Sequence, residues 1–129
     1  MIIFDSSNLW PLWSEAYDND KKNKFTSAAV SYLQRQHLDK FVGGVPATFV
    51  QTGEQWDFPN CWPPLEHMLV QGLEKTGLPD GKSLAFQIAQ RRIQSAYLNF
   101  LEKGHMYEKV TECNLTSSKE SYISFHLPK

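Results

Sequence analysis

Three observations make this 129-residue sequence an all-α fold. Apolar side chains recur at helical spacing through most of the first 103 positions. Prolines and glycines stand where helix ends need them. No two segments alternate in a way that would pair them as a sheet.

The elements follow in order. Residues 8–18 read as a short helix with Leu9, Leu12 and Trp13 on one side. Residues 19–24 are charged and polar and read as a loop. From Thr26 to about Asp39, Ala29, Val30, Leu33 and the His37/Leu38 pair form a helical stripe, with Thr26 or Ser27 as the N-cap. Gly43, Gly44, Pro46, Gly53 and Pro59 make residues 41–60 a long irregular connection. Connections of that length in a compact domain carry function or are disordered, and the aromatic content here argues against disorder. A helix from about Trp62 to Thr76 begins with Pro63 and Pro64, tolerated only in a first turn, where the missing N–H costs nothing. Leu65, Met68, Leu69, Gly72 and Leu73 form its expected buried stripe, and Gly77 stops it. From about Asp80 to Lys103, Phe86, Ala89, Ile93, Ala96, Tyr97, Phe100 and Leu101 keep helical spacing until Gly104 ends the pattern. Residues 1–109 read as the domain and 110–129, rich in Ser and Thr, as a divergent and disordered tail.

Composition narrows the function classes. With 41% hydrophobic residues the chain has core material for one globular domain. A net charge of −1 argues against nucleic acid as a partner, which requires clustered cations. The Arg91-Arg92 pair reads as a solvated helix face. No apolar run approaches the ~20 residues of a membrane span, and Met1 to Asp5 lacks the basic leader of a signal peptide, so the chain as written is expected in the cytosol. Cys61 and Cys113 make no framework and read as free thiols. Asn114-Leu115-Thr116 is a sequon without meaning in the absence of a secretory route.

Metal and nucleophile chemistry find little footing. His37, His67, His105 and His126 include no i, i+4 pair, so no metal site is expected. His67, beside Met68, reads as a partly buried polar residue. No Ser stands in a Gly-x-Ser-x-Gly turn. Gly77 to Ser83 ends like a phosphate loop but is one residue short and follows a helix.

Residues 43–64 are the informative stretch. A Gly-Gly-x-Pro turn leads through Thr52-Gly53-Glu54-Gln55-Trp56-Asp57 into a helix N-terminus. Sugar rings lay apolar C–H faces against indole, as Trp56 and Trp62 offer, while their hydroxyls pair with amide and carboxylate groups such as Gln55 and Asp57. A helix N-terminus adds unpaired N–H groups. The competing reading is architectural: the aromatics wedge the loop onto the core, and Asp57 or Asn60 caps the helix.

Ten consecutive residues go further. Gln55-Trp56-Asp57-Phe58-Pro59-Asn60-Cys61-Trp62-Pro63-Pro64 resembles the second signature of the trehalases, glycoside hydrolase family 37, which reads Gln-Trp-Asp-x-Pro-x-x-Trp-x-Pro. Gly43-Gly44-Val45-Pro46, Thr52-Gly53, Leu65-Glu66-His67 and Gly72-Leu73 resemble its flanks. Ser7-Asn8-Leu9-Trp10-Pro11-Leu12 upstream and Met106-Tyr107-Glu108-Lys109 downstream resemble further family segments in the expected order.

The resemblance implies consecutive helices of an (α/α)6 toroid, incomplete here, with Gln55, Trp56, Asp57 and Trp62 as substrate contacts. It implies hydrolysis of α,α-trehalose to two glucose molecules with inversion, without a cofactor. Inversion uses two carboxyl groups far enough apart to admit a water. The family's acid is an Asp on a segment that would precede Met1. Its base is the Glu of a glycine-rich run, whereas Glu108-Lys109 is followed here by Val110-Thr111. No catalytic residue is therefore assigned, neither Asp57 nor Glu108 is promoted to the role, and the chain alone is expected to be inert. A full-length parent reopens secretion or membrane anchoring. An incomplete toroid is also expected to bare stripes such as Phe86, Ile93 and Phe100, favouring self-association.

Overall fold

The computed structural model describes residues 3–111. The readings that fall on 112–129, including Cys113, His126, the sequon and most of the tail, lie outside the described residues. Four α-helices hold more than half of the described residues: α1 (Trp10–Ser14), α2 (Lys22–Arg35), α3 (Pro63–Lys75) and α4 (Pro79–Lys103). The all-α class therefore holds. One small departure is a two-residue antiparallel ladder between β1 (Asn60–Cys61) and β2 (Val110–Thr111), a pairing too short to leave an alternating pattern in sequence.

Helix α3 sits at the centre, against α4 on one side and α1 on the other. Gly72 permits the close approach of α1: a Cβ there would lie 2.9 Å from the Trp13 backbone nitrogen. Leu69 and Leu73 from α3, Leu84, Ala85 and Ile88 from α4, Leu33 from α2 and Phe4 from the N-terminal segment form the core.

Local chemistry explains where the boundaries differ from expectation. Glu15 adopts the left-handed conformation (φ 57°), so α1 stops at Ser14 rather than near residue 18. Helix α2 begins at Lys22, within the expected loop, because Thr26 does not cap it. The Thr26 hydroxyl donates to the Lys22 carbonyl at 2.8 Å, one turn back inside the helix. At the other end His37 turns left-handed (φ 54°), closing α2 four residues before Asp39. Gly104 (φ 78°) ends α4 with its N–H on the Phe100 carbonyl, where the sequence placed the stop.

Three side-chain readings are corrected. Cys61 is disulfide-bonded rather than a free thiol, a pairing that proximity in the fold decides and spacing in sequence does not. His67 is exposed rather than partly buried. Arg92 is not on a solvated face, since its side chain is 14% exposed and ion-paired.

Candidate carbohydrate-binding site

Residues 43–62 have no regular structure beyond β1, as their glycines and prolines require, yet they are firmly attached. Near Phe4 the chain makes β-like contacts: the Ser6 N–H donates to the Ala47 carbonyl at 2.8 Å, and the Phe49 N–H to the Phe4 carbonyl at 3.1 Å. At the base of the loop, the Ala47 N–H donates to the Asn60 carbonyl at 3.1 Å, and Pro46 bridges to Cys61. Phe4, Phe41, Phe49 and Phe58 pack with ring centroids 5.2–6.4 Å apart and hold the loop on the core. The Phe58–Pro59 peptide is cis.

The wedging that the architectural reading assigned to the aromatics is thus done by phenylalanines. The tryptophans are arranged differently. Trp56 lies flat on Trp62, with centroids 4.0 Å apart and planes 18° from parallel. Trp62 is buried, and its indole N–H donates to the Gln55 carbonyl at 3.0 Å. Trp56 remains 47% exposed and Gln55 is exposed beside it. Such stacking contributes about 0.5–1.5 kcal/mol beyond area burial and fixes the upper ring's orientation.

Asp57 is half-buried, and its carboxylate accepts hydrogen bonds from the hydroxyls of Thr48 at 3.3 Å and Thr52. Its backbone carbonyl accepts from the Asn60 side-chain amide at 2.8 Å. Neither Asp57 nor Asn60 caps α3, whose N-cap is Trp62 with no side-chain bond. The expected supply of free N–H groups at this N-terminus is also corrected. Pro63 and Pro64 have none to offer, and the Leu65 N–H donates to the Trp62 carbonyl at 3.1 Å. What faces solvent is therefore an indole, an amide and part of a carboxylate.

One group was not singled out in the sequence. Glu66, in the first turn of α3, is 3% exposed. Its Oε1 accepts the Val45 N–H at 2.6 Å, and its Oε2 lies 3.5 Å from Arg92 Nε. Arg92 Nη1 in turn donates to the Gly43 carbonyl at 3.5 Å. Burial pushes the Glu66 carboxyl up to about 7; the Val45 N–H and the Arg92 charge pull it back without cancelling that effect. Helical period carried the signal. Glu66 shares the buried face with Leu69 and Leu73, and Arg92 continues the face of Ala85 and Ile88. Reading only apolar residues along those faces gives Glu66 no role and leaves Arg92 on a solvated face. Among the described residues no three His, Cys, Asp or Glu side chains converge to hold a metal ion. Nor is any helix there long and apolar enough to cross a membrane.

The all-α chain belongs to a family of glycosidases. The family model described as Trehalase matches residues 3–122, and the chain belongs to that family, glycoside hydrolase family 37. It is 38% identical over 106 residues to a trehalase of Apis mellifera, covering 82% of this chain and 17% of the relative. It is 38% identical over 107 residues to a trehalase of Tenebrio molitor, covering 83% of this chain and 19% of the relative. Against a trehalase of Homo sapiens it is 35% identical over 111 residues, covering 86% and 18%. The chain thus spans less than a fifth of the length of these curated relatives.

Proposed function

We propose that this chain forms part of a trehalase-type glycosidase acting on α,α-trehalose with inversion, and contributes the sugar-facing wall formed by Gln55, Trp56 and Asp57. The observation that carries the proposal is Trp56, held flat on Trp62 and exposed within the family's signature decapeptide. In this reading Trp56 stacks on a glucose C–H face with Trp62 as its backing. The Gln55 amide and the Asp57 carboxylate bond to hydroxyls. No residue of the chain is assigned as acid or base, so the chain alone binds sugar without cleaving it. Calorimetry with millimolar trehalose tests this: binding heat from the unaltered chain and none from Trp56→Ala is expected. Absence of heat from the unaltered chain sinks the binding reading, and glucose release from trehalose sinks the inert one.

A second reading has its own support. On α4, Phe86, Ile93 and Leu101 are each more than 60% exposed, an apolar row that suits a helical interaction surface. Self-association of the chain through that row is part of the proposal.

A further inference from the structure

We propose that Glu66 is the positioning residue of this site: its side chain closes the neck of the 45–62 loop and so sets where Gln55, Trp56 and Asp57 stand. The inference rests on reading that loop as the sugar-facing wall.

Val45 and Trp62, both buried, stand at the two ends of the loop. Glu66 is one helical turn past Trp62, and its N–H donates to the Trp62 carbonyl at 3.2 Å. From there the carboxylate reaches across the neck to the Val45 N–H at 2.6 Å. Arg92, from α4, holds its other oxygen at 3.5 Å and touches the Gly43 carbonyl as well. One carboxylate therefore ties together the outgoing turn, the returning helix and the neighbouring helix. Gly44 makes room for it: a Cβ there would lie 2.3 Å from Oε1, and its φ of +119° excludes most side chains in any case. Packing alone is served more cheaply by an apolar residue, because a buried carboxylate forfeits its hydration. Locating one backbone N–H requires a directed acceptor, which Glu66 supplies.

The test is amide hydrogen exchange on the full chain, with the circular-dichroism couplet of the Trp56–Trp62 pair as a second readout. Glu66→Ala is expected to raise exchange at Val45 and Ala47 by about tenfold or more, with Leu73 in α3 little changed and the couplet weakened. Glu66→Gln keeps an acceptor for Val45 and is expected to restore both. Equal acceleration at Leu73, unchanged exchange at Val45, or failure of Glu66→Gln to rescue overturns the proposal. Should Glu66→Ala not fold, the unaltered chain still decides. The charged group acting on Glu66 is Arg92, and from the turn it meets the backbone of Val45 and Gly44. The Val45 amide proton shift should follow the carboxyl with a midpoint near its value of about 7. A Val45 shift that follows no carboxyl titration anywhere between roughly pH 3 and 9 overturns the proposal. Trehalose calorimetry keeps the two readings apart. No heat from the unaltered chain removes the sugar reading and leaves the exchange result standing. Undiminished heat from folded Glu66→Ala removes the positioning role and leaves the sugar reading.

Discussion

The loop neck and the outer face of α4 invert the usual distribution of residues. At the neck, Glu66 and Asn60 are buried, with Arg92 nearly so. Along α4, Phe86 is 68% and Ile93 69% exposed. The helices are equally regular in both places, so secondary structure does not account for the difference. It lies in what each face meets. The buried face of α3 is enclosed by α1, α4 and the loop, and there Glu66 Oε1 accepts the Val45 N–H and the Asn60 amide donates to the Asp57 carbonyl. Glu66 Oε2 has the Arg92 charge, while Asn60 Oδ1 accepts no hydrogen bond among the described residues. The row on α4 has no packing partner among the described residues that removes it from water.

The largest expected effect comes from the enclosed side. Leu73 is fully buried between helices, and Leu73→Ala should cost about 2–5 kcal/mol in chemical denaturation. A loss below about 1 kcal/mol would mean that α3 is not the packed centre.

Next comes the pH dependence of the neck. The folded-state carboxyl of Glu66 lies at about 7, above its ordinary 4.5, so the folded chain binds the proton more tightly than the unfolded one. That contribution is fully present below about pH 4.5 and is lost as pH rises through about 7, a swing of up to about 3 kcal/mol. Glu66→Gln should flatten this slope in denaturation curves taken across the window. An unchanged slope in the variant would assign the titration elsewhere.

Trp56→Ala is expected to cost less, about 1 kcal/mol of stacking, while removing the trehalose heat. A large loss of stability with heat retained would reverse the roles given to Trp56 and to the phenylalanines.

The smallest effect on folding belongs to the bare face. Ile93→Lys should change stability by no more than about 0.5 kcal/mol, yet reduce the mass seen in light scattering. A monodisperse monomer before substitution would remove self-association from the account.

Much of the fold was legible because helix ends are local chemistry. Pro63 and Pro64 could only begin a helix, and Gly104 could only end one without strain. Where local signals compete, legibility failed. The Thr26 hydroxyl is equally suited to cap a helix or to bond back within one, and only the observed bond to the Lys22 carbonyl distinguishes them. At the site, the decapeptide identified the loop, but nothing in it separated an indole that anchors from one that is displayed. That distinction depends on Phe49 reaching Phe4, 45 positions away in sequence, with Phe58 packed on Phe49.

By itself, then, the sequence determined the helical class, the helix ends governed by proline and glycine, and membership of the trehalase family through residues 55–64. These follow from backbone sterics and from a run of residues read in order. Tertiary structure alone decided that Trp56 lies on Trp62, that Cys61 is bonded, and that Glu66 spans the neck to Val45 with Arg92 behind it. Each of these joins groups whose meeting depends on how the helices and loop pack, and a carboxylate on a helix carries no mark of its partner until packing has excluded the water around it.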